Sequence, residues 1–473
     1  MSVKRTRVLP GGARVSCAFA AFLAAQTLVG QAAETSPVPP DSEIRKMLVD
    51  RIDANRQSVG IVVGVIEPRG RRIVAYGNLN QGDPRMLNGD TVFEIGSVTK
   101  VFTSLLLSDM VQRGEVGLTD PVSRHLPAGV KTPQRNGRQI TLLDLSTHTS
   151  GLPRMPTNFN PDKPYADYTV EQLYEFLASY QLPRDIGAQY EYSNVGAGLL
   201  ANALAFRAGM DYDALVRARI TGPLGMKDTG IASSAGMKAR LAGGHDDKLK
   251  PTPSWNFPTL AGAGAIRSTA NDMLTFLAAN LGYTTTPLAP AMAAMLVVRH
   301  PSGSAALDLG LGWQFFTDGM VGHNGGTDGY RSFVAFYPKT RIGVVVLSNA
   351  GTAAGVDDIG RHLLDPQVPL LPAEAFQPAK EHTAIPLDPA SFDGYVGSYQ
   401  FASNTILTVT REGSQAFIQV AGQTKYEIFA ESTRDYFLKV EDSQITFEVD
   451  SRGRATSLVL HRNGLNQQAR RVD

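Results

Sequence analysis

Two groups of β-rich runs bracket a long helical stretch, and this arrangement constrains the fold more than any single residue does. Near one end, Ser58 to Glu67 and Arg71 to Tyr76 are joined by Pro68-Arg69-Gly70, the chemistry of a hairpin turn. Far along the chain come Gly310 to Phe316, Met320 to His323, Tyr330 to Tyr337 and Arg341 to Ser348, with Pro338-Lys339-Thr340 as a tight connection. Between the groups, the chain to about Leu281 reads as helices and loops. Strands at both ends with helices between them predict one antiparallel sheet closed by distant segments. The fold class is therefore α+β: an antiparallel sheet flanked by helices, with an inserted helical subdomain. Ile44, Met47, Leu48 and Ile52 add a helix over Asp41 to Asn55, before the first strand.

Past this region the pattern changes. Pro366 to Pro389 is proline-spotted and aperiodic, which reads as a linker. Tyr395 to Tyr399, Thr405 to Thr410, Ala416 to Val420, Tyr436 to Val440, Ile445 to Val449 and Thr456 to His461 then alternate as short strands, with Gly413, Gly422 and Gly453 in or near the turns. Such regular short strands predict a small barrel or sandwich. At 473 residues the chain has room for one large domain and this smaller one.

The first residues read as a targeting segment. Lys4, Arg5, Arg7 and Arg14 precede an apolar run from Val15 to Gly30, followed by Gln31-Ala32-Ala33, so a secretory signal cleaved near Ala33 is expected. The expected divisions are 1–33 signal peptide, 34–365 the large α+β domain, 366–389 linker and 390–473 β domain. Cys17 is the single cysteine and lies before the cleavage point, so thiol catalysis and disulfides are excluded from the mature chain. The apolar run is short for a bilayer span. A net charge of +1 without a basic run beyond the N-terminus gives no footprint for nucleic acid.

The chemistry sits in Phe93-Glu94-Ile95-Gly96-Ser97-Val98-Thr99-Lys100, a short extended segment, a glycine turn and a helix opening at a serine. Residues three apart share a helix face, so the Lys100 amine reaches the Ser97 hydroxyl. The following helix (Val101, Phe102, Leu105, Leu106, Leu107, Met110, Val111) is apolar almost all round and should be buried. A desolvated lysine there has a lowered pKa and can take the serine proton. A capping serine with a surface lysine would show the same four-residue spacing, but not the apolar surroundings.

Two further segments carry suitable groups. Tyr190-Glu191-Tyr192-Ser193-Asn194-Val195-Gly196 offers a phenol and an amide two residues apart, and Val321-Gly322-His323-Asn324-Gly325-Gly326-Thr327 offers a histidine beside unhindered glycine backbone. Tyr76-Gly77-Asn78 repeats the Tyr-x-Asn pattern but precedes the serine. With Ser97-x-x-Lys100, these segments resemble the three motifs of the serine β-lactamase and penicillin-binding protein superfamily, in the order of its class C-like branch. That branch also holds D-alanyl-D-alanine carboxypeptidases, D-aminopeptidases and esterases. Leu145-Ser146-Thr147-His148-Thr149-Ser150-Gly151-Leu152-Pro153 and Gly264 to Asp272 look like its supporting segments, and the C-terminal strands look like the lipocalin-like domain some members append.

The resemblance implies a β-lactamase/transpeptidase-like fold and a role for each residue. Ser97 would form an acyl-enzyme, Lys100 would take its proton, and Tyr192 would share the base role and pass the proton to the leaving group. Asn194 would hold Lys100 and the substrate amide. His323, Asn324 and Gly325 would line the substrate strand, with His323 in place of a lysine. The amides of Ser97 and Gly326 would form the oxyanion hole. Thr99 and His323 depart from class C β-lactamases toward carboxypeptidase, aminopeptidase or esterase relatives, and Arg154-Met155 follows Leu152-Pro153 where those β-lactamases tend to carry a side-chain amide.

The expected function is thus an exported serine hydrolase acting on amide bonds of β-lactams or D-amino-acid peptides, without metal or cofactor. A short-chain esterase is the near alternative, and a receptor acylated by β-lactams without turnover is the alternative of another class. His323 could carry either charge near neutrality, so recognition of a substrate carboxylate is expected to weaken between about pH 6 and 8. His148 is expected to be structural, and His245-Asp246-Asp247 to be a solvated loop rather than a metal site.

Overall fold

The computed structural model describes residues 38–160, 165–301, 307–352, 355–372, 382–401, 405–420, 425–439, 443–462 and 465–473. The targeting segment and Cys17 lie outside these residues.

Among the described residues the main sheet has eight strands. Helix α1 (Asp41–Val49) runs into a π-helical turn and leads to the hairpin β1 (Gly60–Glu67) and β2 (Gly70–Gly77). The far segments supply β3 (His300–Pro301), β4 (Leu307–Leu309), β5 (Gln314–Phe316), β6 (Val321–Gly326), β7 (Arg331–Tyr337) and β8 (Ile342–Ser348). The order is β2-β1-β8-β7-β6-β5-β4-β3, so β1 pairs antiparallel with β8 across the whole domain, as Ile61 opposite Ser348 and Val65 opposite Val344 show. The expected strand at Gly310 to Phe316 is shorter than predicted. Gly310 N–H bonds to Trp313 O and Gly312 sits at φ +69, a turn that breaks the apolar run.

Why β1 is apolar without alternation follows from the layers. Ile61, Val63 and Val65 join a core with Ile44 and Leu48 of α1 and with Ile359 and Leu363 of a late helix, α5 (Asp357–Leu364). Val62 and Ile66 face the other way, into a larger core. That core contains α2 (Thr99–Gln112), α3 (Asn194–Ala208) and α4 (Ala270–Asn280). A strand with a buried side on each face has no solvated position to make polar. The sheet is therefore the middle of three layers.

Residues 397–471 close a separate barrel of eight strands: β9 (Gly397–Phe401), β10 (Ile406–Glu412), β11 (Gln415–Val420), β12 (Tyr426–Ala430), β13 (Asp435–Phe437), β14 (Ser443–Val449), β15 (Ala455–Arg462) and β16 (Leu465–Arg471). β9 pairs with both β10 and β16, which closes the ring. Its interior is filled. Phe392, on the short helix Pro389–Phe392, packs with Tyr395, Tyr436 and Phe447, and Tyr395 stacks on Phe447 with ring centroids 4.6 Å apart. Six strands were expected here. β12 and β16 were missed, the latter because Leu-Asn-Gln-Gln-Ala-Arg-Arg carries almost no apolar alternation. The latter part of the expected linker is also attached to the barrel: His382 stacks on Phe437 and meets Glu431, and Ile385 N–H bonds to Ala430 O.

Candidate active site

Ser97 lies in a single 3₁₀ turn, Gly96–Val98, that runs into α2. The turn is fixed to the sheet because Ile95 O accepts both Val98 N–H (3.2 Å) and the Ser332 hydroxyl (2.8 Å) of β7. Gly96 has φ +49, and a Cβ there would lie 2.6 Å from Gly326 N. A Cβ on Gly325 would lie 2.1 Å from Ile95 O and 3.0 Å from Ser97 N. The two glycine positions thus let the nucleophile turn and the end of β6 meet backbone to backbone.

Every residue of α2 from Thr99 to Met110 is buried, so Lys100 is 3% exposed in an apolar helix. Its Nζ lies 3.1 Å from Ser97 Oγ, 2.9 Å from Asn194 Oδ1 and 2.6 Å from Ala263 O. No carboxylate is among these partners. Burial, reinforced by the Arg154 charge, holds the Lys100 amine well below the ordinary lysine range. A neutral amine has two N–H donors and one lone pair. Two carbonyl oxygens and one hydroxyl match that set.

Tyr192 and Asn194 flank Ser193, the N-cap of α3. The Ser193 hydroxyl accepts from Gly196 N–H (2.8 Å) and donates to Pro153 O (2.7 Å), so the cap also pins the residues on either side of it. The Tyr192 hydroxyl is hydrogen bonded to Ser97, and burial pushes it up to about 12. Lys100 Nζ lies 4.7 Å from the Tyr192 ring centroid. Behind that ring stands His148, with centroids 4.7 Å apart. His148 adopts φ +57, accepts Ser193 N–H at Nδ1 (3.1 Å), and offers its carbonyl to Glu191 N–H (2.8 Å). The structural reading of His148 holds, and its contacts brace the tyrosine loop.

On β6, period-two geometry puts Val321, His323 and Gly325 on the face toward the helical core. His323 is 3% exposed, and its Nδ1 donates to Asn324 O (2.6 Å). Burial first, then Lys100, lowers its pKa to about 4. The expectation that His323 is poised between charge states near neutrality is therefore wrong: it is neutral throughout that range. Asn324, on the opposite face, donates its amide to Asp357 Oδ2 (2.5 Å) at the start of α5, a half-buried carboxyl that desolvation raises to about 6. β5 pairs with β6 only at Val321 and Gly322, so the outer edge of residues 323–326 faces the cleft.

The cleft measures about 520 Å³ and is lined by Ser97, Tyr192, Asn194 and the β6 edge, and also by residues the motifs did not flag as site residues. Tyr165 and Trp255 form an aromatic wall with centroids 4.8 Å apart. Arg154 lies 5.4 Å from the Tyr192 ring centroid, and Arg331 gives Nε to Thr352 O and Nη1 to Thr327 O. Aromatic and arginine side chains in loops carry no spacing signature. Arg154 was visible only as the neighbour of Leu152-Pro153. His245 lies elsewhere and is fully buried, its Nδ1 against Asn349 O, which corrects the solvated-loop reading. Among the described residues no cluster of three or more His, Cys, Asp or Glu could hold a metal, and no helix is long and apolar enough to cross a membrane.

Residues 46–366 match the family model described as Beta-lactamase. The chain belongs to the beta-lactamase family. This family of serine hydrolases accounts for the α+β fold and for the order of the three motifs. Residues 381–471 match a domain of unknown function (DUF3471). The D-alanyl-D-alanine-carboxypeptidase/endopeptidase AmpH of Escherichia coli K12 is 31% identical over 351 residues, covering 70% of this chain and 90% of that protein. Penicillin-binding protein 4* of Bacillus subtilis is 27% identical over 433 residues, covering 84% of this chain and 91% of its own. Among solved structures, a beta-lactamase/D-alanine carboxypeptidase from Yersinia pestis complexed with citrate is 27% identical with a TM-score of 0.62, covering 70% of this chain and 99% of that one.

Proposed function

We propose that this beta-lactamase family member cleaves amide bonds of D-amino-acid peptides or β-lactams through an acyl-enzyme on Ser97. The observation that carries the reading is the set of partners around Lys100: two carbonyl oxygens and the Ser97 hydroxyl, with no counter-ion. The lone pair of the neutral amine faces the Ser97 proton and takes it as the oxygen attacks the carbonyl carbon. The amides of Ser97 and Gly326 receive the oxyanion that forms.

Tyr192 holds its proton near neutrality, because its pKa lies at about 12. Its role is therefore to donate to the leaving nitrogen, and the proton that Lys100 took from Ser97 restores the phenol. Asn194 fixes the Lys100 amine through Oδ1 and leaves its amide group beside the cleft, toward the Met155 sulfur (3.6 Å). His323, being neutral, supports the strand edge on which substrate backbone lies, with Asn324 and Gly325. Any charge-based recognition of a substrate carboxylate falls to Arg154 and Arg331, which line the same cleft. The substrate class follows the activities for which the relatives are named, among them a D-alanyl-D-alanine-carboxypeptidase/endopeptidase.

Export fits the basic, apolar and small-residue order of the first 33 residues, with the catalytic domain at 34–365, a linker over 366–389 and the barrel from 390. The test is a substrate panel of a D-Ala-D-Ala peptide, a D-amino-acid amide, a chromogenic β-lactam and a p-nitrophenyl ester, followed by rate and intact mass. The proposal expects an adduct on the wild type, turnover of at least one amide, and neither with Ser97→Ala. Adduct without turnover would make the chain an acylated receptor. Turnover of the ester alone would make it an esterase. Unchanged rates in Ser97→Ala would overturn the mechanism.

A further inference from the structure

At one end of the barrel, an arginine-lined hollow of about 760 Å³ lies among three pieces of chain: the helix Pro389–Phe392 with Gly394-Tyr395, the turn before β13 and the turn between β14 and β15. Antiparallel connectivity puts the start of β9, the β12–β13 turn, the β14–β15 turn and the end of β16 at the same mouth. Arg434, Arg452, Arg454 and Arg471 line the hollow, with Asp393 the one carboxylate among its described lining residues.

The partners at this end show which charges are already committed. Asp393 accepts from Arg411 Nε (2.6 Å) and Nη2 (2.8 Å), and Asp473 accepts from Arg471 Nε (2.8 Å). Asp450 accepts the backbone N–H groups of Arg452 and Arg454, Asp435 holds Ser432 and Thr446, Asp388 holds Ser391, and Glu431 meets His382. The Arg471 guanidinium is also spent on Gly394 O and Val396 O. Each of these acids is engaged, whereas the guanidinium groups of Arg434, Arg452 and Arg454 have no hydrogen-bonded or salt-bridged partner among the described residues. Three exposed, unpaired forks around one concavity form an acceptor site for an oxyanion. Because the barrel interior is packed with Phe392, Tyr395, Tyr436 and Phe447, a ligand meets the mouth and not a lumen.

We propose that this mouth binds a phosphate-class oxyanion, separately from the Ser97 cleft. A phosphate dianion offers three terminal oxygens and two charges, enough to engage more than one guanidinium at once, whereas a single carboxylate saturates one fork. Binding of this kind is sensitive to ionic strength because all three groups are exposed.

The experiment is calorimetric titration of the full chain with inorganic pyrophosphate, and with acetate at matched ionic strength. It is repeated on Arg434→Gln, Arg452→Gln, Arg454→Gln and the triple variant. The expected result is saturable pyrophosphate binding by the wild type, weakened several-fold in each single variant and at least tenfold in the triple variant, with no response to acetate. Acylation of Ser97 by a chromogenic β-lactam is expected to be unchanged in all of them, and an unchanged barrel transition in denaturant shows that the barrel of each variant is folded. Absence of pyrophosphate binding by the wild type, binding by the single and triple variants as tight as the wild type's, or an equal response to acetate would each overturn the proposal.

Discussion

At the scale of the residue, burial moves two proton affinities of the candidate site in opposite directions. The Lys100 amine is lowered well below the ordinary lysine range and the Tyr192 phenol is raised to about 12, which suits the first to take a proton and the second to supply one in the proposed mechanism. Replacing Lys100 with Met should lower kcat/KM about 10³-fold or more while leaving the fold intact, read by single-turnover acylation and circular dichroism. Arg154 contributes part of the lysine depression, so Arg154→Gln should move the acidic limb of the kcat/KM profile to higher pH. That shift is measurable with a neutral ester, which has no carboxylate for the arginine to bind. His323 titrates near pH 4, so the KM of carboxylate substrates should be flat between pH 6 and 8 as far as this residue is concerned. A break near pH 6 that disappears in Asp357→Asn would instead report the carboxyl behind Asn324. Ser97, Lys100, Tyr192, Asn194 and His323 were legible from short spacings, since each motif lies within one turn or strand. Arg331, Trp255 and the Ala263 carbonyl were not, because only tertiary packing brings them to the cleft.

At the scale of the element, the junction of the nucleophile turn with β6 has no spare room. Gly325→Ala should place a methyl carbon 2.1 Å from Ile95 O, pushing strand and turn apart. The expected outcome is a loss of 10²-fold or more in kcat, as for an oxyanion donor displaced from its position, with KM changed far less. Helix α5 carries a different strain. Asp357 is ordinarily half-ionised near pH 3.8 and here near 6, so the stability it supports is fully present below about pH 4 and is lost as pH rises through 6. Chemical denaturation of wild type and Asp357→Asn across that window should show the wild type falling relative to the variant, by at most about 3 kcal/mol. The helices and central strands were readable because their burial patterns are long and regular. β16 was not, since a barrel strand can be held by backbone pairing with β9 and β15 while its side chains stay polar.

At the scale of the whole molecule, the chain joins a three-layer catalytic fold to a barrel that keeps its own aromatic core. Phe392→Ala would leave a cavity at the centre of that core and should cost the barrel about 3–5 kcal/mol, seen as an earlier transition in denaturant while Ser97 acylation persists. Closure of the main sheet by β1 and β8 was inferable from the order of apolar runs, although no local pattern could say which far strand β1 would choose. One consequence belongs to the open rim of β6 at residues 323–326. A rim that offers main-chain groups reads shape and main-chain polarity more than side-chain identity. Ligands that dock there must arrive stretched out, and one N-methyl group or one proline ring at the pairing position would be enough to turn them away.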